Sequence, residues 1–146
     1  MQQAYKLSIF YYILFSLLLI LSAVMLFEHK IGFSYNSVLD YYIGNEDKFI
    51  PAQSAAGILK IVLPHIFVFG LFAMVLLHFL VFTDLKSRRV FLILIYVTFI
   101  TALLDIFTPF MIISGWSFFA YIKILSFFTF LSLTLFTLWL LFRKIR

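Results

Sequence analysis

The chain has no cysteine, and its 146 residues include only 3 prolines, 5 glycines and 12% charged side chains. Without cysteine there is no disulfide, no thiolate metal site, no iron–sulfur cluster and no covalently attached c-type haem. Any metal or haem ligand must come from His29, His65, His78, the 4 methionines or the carboxylates. The scarcity of charge excludes a soluble globular protein. With 65% hydrophobic and 21% aromatic residues, too few polar groups exist to face water. At this length there is room for a single integral membrane domain over 1–146, with none left for a separate soluble enzyme module. The glycines form no phosphate-binding loop, no serine has the setting of a catalytic triad, and no repeat marks the inverted halves of a transporter.

What the chain does have is long apolar runs. The central one, Leu63–Leu80 (LPHIFVFGLFAMVLLHFL), lacks Asp, Glu, Lys and Arg yet carries His65, His78 and Pro64. A helix needs about 20 such residues to cross roughly 30 Å of hydrocarbon. Four runs qualify, predicting an all-α, four-helix transmembrane bundle with spans at about 7–27, 58–83, 90–110 and 122–142. The first is too long for a signal-peptide core, and LSAVM is a poor cleavage site, so it is read as a retained helix.

The one long polar segment is Glu28–Lys60. Ser37 to Asp40 resembles a capping box and Gly44 a stop, predicting a short helix over about 37–43. Its tyrosines suit the membrane interface. Beyond Pro51, Ser54 is placed to cap the second span, with Ala55, Ala56 and Gly57 permitting close packing.

Lysine and arginine placement sets the expected orientation. Lys6, Lys86, Arg88, Arg89, Arg143, Lys144 and Arg146 fall on one side of a four-span chain; Lys30, Lys48, Lys60 and Lys123 fall on the other. The positive-inside rule then puts both termini and the DLKSRR connection in the cytoplasm. The net charge of +5 is spread along these boundaries, which favours lipid contact over nucleic acid.

The same topology gathers unusual residues near the outer face. His65 enters span two about one turn down, Asp105 lies within about two turns of that boundary in span three, and His29 ends span one. Pro64 and Pro109 fall there too, removing the donors that would serve the carbonyls of Lys60 and Asp105. Freed carbonyls in a membrane need new partners, so a bent, polar outer pocket is expected, with Lys60 and Lys123 above it. An intramembrane aspartate must be neutral or paired, here with His65, His29 or a lysine such as Lys60 or Lys123. Asp105 is therefore read either as a proton-handling or ligand-orienting carboxylate, or as structural glue bonded to His65.

Two histidines on one apolar helix raise the question of haem b, bound through His65 with His29 as a second axial ligand, or through His78 against another subunit. Thirteen residues leave His65 and His78 about 140° apart around the helix, so they do not share a seam. A copper site is the other ligation reading: Met25 and His29 share a helix face, Met111 ends span three at the same outer depth, and with His65 they would hold Cu(I).

The run GILKIVLPHIFVFGLFAMVLLHFLVFT, a basic loop, then LLDIFTPF and a last apolar span is similar to small four-span bacterial inner-membrane proteins with a cytochrome-b-like, histidine-bearing second helix. His65, His78, Asp105 and Pro109 match that pattern, while Leu63 stands where it has the first histidine of a His-x-His pair. The resemblance implies a respiratory-membrane context. Three functions stand as expectations: a redox-associated protein with haem b on His65; a non-catalytic accessory or assembly subunit of a larger membrane complex, with His65–Asp105 as glue; and a small proton or cation carrier using Asp105. The expected partners are the lipid bilayer and other membrane subunits or a second copy of the chain.

Overall fold

A computed structural model describes residues 3–80 and 88–146. The stretch 81–87, which holds the far end of the expected second span and most of the DLKSRR connection, lies outside the described residues. Five helices follow one another: α1 (Gln3–Lys30), α2 (Tyr35–Ile43), α3 (Ala55–Phe79), α4 (Arg88–Ile113) and α5 (Phe119–Ile145). Four of them, α1, α3, α4 and α5, are long and apolar enough to cross a membrane. The four-helix transmembrane bundle is therefore the architecture observed. Helices α1, α4 and α5 run a few residues past their expected spans at both ends, and α3 does so at its start, because helical hydrogen bonding continues into the interface until a cap or turn ends it.

The caps account for the interior boundaries. α2 starts at Tyr35 rather than 37, because Ser34 and Ser37 form a reciprocal box: the Ser37 N–H donates to Ser34 Oγ and the Ser34 N–H to Ser37 Oγ, both at 3.1 Å. Gly44 closes the helix, and its N–H bonds the Asp40 carbonyl. Ser54 caps α3 by accepting from the Gly57 N–H at 3.0 Å. Between them, Asn45 and Ile50 exchange two backbone bonds of 2.9 Å, and Lys48 reaches back to Asp40 at 2.6 Å.

α4 and α5 form the most extensive helix pair. Their facing stripes hold small and hydroxylated residues: Thr98, Thr101, Ala102 and Thr108 on α4, and Ala120, Ser126, Thr134 and Thr137 on α5, all buried. Apolar tails cannot drive helices together in lipid, so close backbone approach over small side chains does the work. Several hydroxyls are satisfied within their own helix; Thr98 donates to the Leu94 carbonyl and Thr134 to that of Phe130. α1 packs antiparallel to α5. Ile9 and Ile13 meet Leu138 and Leu141 at the end where both termini lie, and Phe27 stacks on Phe127 at 4.1 Å at the other end. α3 joins through Leu76 on α1 and α5, and through Leu77 and Leu80 on α4.

α2 lies across the loop end of this bundle. Val38 and Tyr42 are buried in a cluster with Ile58 and Val62 of α3, Ile106 and Ile112 of α4, and Ala120 of α5. Tyr35 stacks on Tyr121 at 4.4 Å. The short helix expected in the 28–60 loop is present, and its inward face also caps the bundle.

Candidate functional site: a buried lysine–aspartate pair under the α2 cap

Asp105 sits about 12 Å in from the loop end of α4, eight residues before Ile113. Lys123 sits about 6 Å into α5, four residues after Phe119. Among the described residues these are the two buried charged side chains, and they find each other: Lys123 Nζ donates to Asp105 Oδ1 at 2.8 Å. It also donates to the backbone carbonyl of Asp105 at 2.8 Å. That carbonyl is the one for which Pro109 supplies no N–H. The proline creates the vacancy and the lysine occupies it, so one ammonium satisfies both the carboxylate and the freed carbonyl.

The surroundings hold the ammonium in place. Its nitrogen stands 5.9 Å from the centroid of the Phe27 ring, a cation–π contact from α1. The Ser126 hydroxyl donates to the Lys123 carbonyl. Tyr42, in the α2 cap, is close enough to feel the pair. Burial first, then the charge of Asp105, pushes its hydroxyl well above the ordinary tyrosine value of 10.0. Elements α1, α2, α4 and α5 therefore converge on a single ion pair.

The other anticipated site residues lie elsewhere. His65 is exposed on α3 and does not meet Asp105, whose carboxylate is taken by Lys123. The His65 ring lies edge-on to Phe69 at 5.5 Å, and its Nδ1 is 2.6 Å from the Ile61 carbonyl. The Asp105 carboxylate is engaged from α5, the helix against which α4 packs most extensively. Val62, Phe69 and Ala73 turn one stripe of α3 inward, and residue 65, three after Val62 and four before Phe69, stands exposed at its edge. His78 is likewise exposed on α3. His29 and Lys60 are exposed, as are Met25 and Met111, 62% and 42% accessible. Among the described residues no three of His, Asp or Glu come together to hold a metal. The cleft at this end, about 140 Å³, is lined by residues such as Tyr42, Gln53, Ile112 and Gly115, without any of the expected ionisable groups.

Lys123 was expected above a pocket, yet it is inside the bundle. The signal that places it there is the stripe it shares: Ala120, Lys123, Ser126, Phe127, Phe130 and Thr134 recur at three- and four-residue spacing, and all are buried. Asp105 lies in the matching α4 stripe between Thr101 and Thr108.

Fold and site together define a class: a four-span helical membrane protein whose central helix pair is joined by an internal salt bridge. Residues 32–146 match the transmembrane helical domain family Aq_1264_TM, and the chain belongs to that family. No curated protein and no solved structure matches it.

Proposed function

We propose that the chain is a non-catalytic accessory or assembly subunit of the bacterial inner membrane, with both termini cytoplasmic. The observation that supports this reading is the pairing of Asp105 with Lys123. Among the described residues the buried charged groups are committed to each other, so none of those buried carboxylates is left over for proton or cation transfer. The α3 surface, in contrast, presents His65 outward among Leu63, Ile66 and Phe67. Ionisable side chains at membrane depth ordinarily face protein or water rather than lipid. A neighbouring membrane helix would supply that protein. The orientation rests on the lysines and arginines near the termini and in the DLKSRR connection, which outnumber the lysines of the opposite end.

The test is purification from native membranes in mild detergent. A stoichiometric membrane complex is expected, and His65→Leu should dissociate it while leaving the melting temperature of the isolated chain unchanged. A wild-type chain that runs alone and monodisperse would overturn the reading.

A second reading, haem b on His65, has its own support. With Nδ1–H donating to the Ile61 carbonyl, the lone pair of the imidazole lies on Nε2, the atom used for axial ligation. The donor chemistry fits one axial position, but no second histidine stands opposite, so a haem there would lie between α3 and another chain. A reduced-minus-oxidised spectrum decides it: a b-type band abolished by His65→Ala supports haem, and no band from haem-replete cells removes it.

A further inference from the structure

At the termini end of the bundle an apolar groove of about 420 Å³ runs along the α1–α5 seam, over Ile13 and Leu138. Phe10, Leu14 and Leu17 form one wall, and Leu135, Trp139 and Phe142 the other. The volume lies within the roughly 300–1,000 Å³ of ordinary ligand sites. Helical spacing continues both walls into charge. Lys6 is one turn before Phe10, Arg143 one turn after Trp139, and Arg146 one turn after Phe142. All three side chains are exposed, and the Arg143 guanidinium lies 4.9 Å over the Trp139 ring. Neither 3–27 nor 119–146 contains an Asp or Glu, so no carboxylate of these two helices' facing segments offsets that charge.

We infer that this groove is a binding site for an anionic phospholipid. One acyl chain lies between α1 and α5, and the headgroup phosphate meets Lys6, Arg143 and Arg146. The charge complementarity selects this occupant over a zwitterionic lipid. The guanidinium, fixed by its stack on Trp139, presents a planar donor fork suited to phosphate oxygens. The site is independent of the accessory-subunit reading, since it lies on helices away from His65.

The experiment reconstitutes the full chain in vesicles of equimolar dioleoyl phosphatidylglycerol and dioleoyl phosphatidylcholine, then counts retained lipids by native mass spectrometry. Retained phosphatidylglycerol should exceed phosphatidylcholine. The Arg143→Gln/Arg146→Gln variant should cut that preference by roughly fivefold per charge removed, the worth of one basic group beside an anionic surface. Leu14→Trp, which fills the groove, should reduce retention with the basic residues intact. Equal retention of the two lipids by wild type would overturn the site. So would a preference undiminished by Leu14→Trp, which would assign it to surface charge alone. A Leu14→Cys chain that cross-links to a second copy through the groove would assign the groove to a protein helix instead. Should a variant fail to fold, the wild-type melting temperature in each pure lipid still decides, with a higher value expected in phosphatidylglycerol.

Discussion

A proline in a membrane helix leaves the carbonyl four residues earlier without its usual donor, and lipid offers none. At Asp105 the need is doubled, because the same residue brings a carboxylate, and Lys123 answers both with bonds of 2.8 Å. Breaking such a pair leaves an uncompensated charge in an apolar interior, which costs roughly 3–5 kcal/mol, whereas replacing both partners with apolar residues is close to neutral. Asp105→Leu and Lys123→Met should therefore each destabilise the bundle severely, and the double variant should recover the part due to the unpaired charge, remaining below wild type by the cost of the carbonyl that Pro109 leaves without a donor. A double-mutant cycle of unfolding in detergent measures this; additive losses would show that the pair is not coupled. That Asp105 needed a partner was legible in the sequence, as was the carbonyl freed by Pro109. Which residue served was not, because Lys123 reads as a boundary lysine until the rotation of α5 is known. A second residue-scale expectation concerns Asp40, outside the spans. Its bonds from Lys48 and Asn45 hold its carboxyl below the ordinary 3.8. A depressed value contributes stability above 3.8 that is lost as pH falls through the folded value. Lys48→Met should return the Asp40 titration toward 3.8 in a carboxyl NMR titration.

At the scale of elements, α2 shows how short-range chemistry and packing divide the task. Its termini are local: a serine box at Ser34 and Ser37, and Gly44 at φ +88°. A Cβ at Gly44 would stand 2.7 Å from the Ala52 nitrogen and 2.9 Å from the Ile50 carbonyl oxygen, both backbone atoms. Gly44→Ala should cost about 1–3 kcal/mol, and Ser34→Ala about 1 kcal/mol. Both losses should appear as faster proteolysis between residues 44 and 54, with the four long helices retained by circular dichroism. The sequence signals found this helix and its stop. They did not reveal that Val38 and Tyr42 point down into the bundle, because aromatic and aliphatic residues suit a lipid interface as well as a protein core.

At the scale of the molecule, four spans bring both termini to one end and put α2 with the 45–50 turn at the other. The chain has no cysteine, so a single introduced one reports sidedness cleanly. Phe49, 94% exposed at the tip of that turn, should react as Phe49→Cys with an impermeant maleimide added to intact spheroplasts. Gln3→Cys should react only after the membrane is opened. The reverse pattern would invert the proposed orientation.

Length and hydropathy are properties of a run of residues read one after another, and so the number of spans, their approximate ends and the Ser54 cap follow from sequence alone. Partner choice is different. Whether a polar side chain meets another depends on the angle at which its helix is rotated and on which neighbour that face touches, and both are set by packing among all the helices. Asp105 is buried and His65 is exposed, while Lys123, at the edge of its own apolar run, is turned inward with the small residues that let α4 and α5 approach.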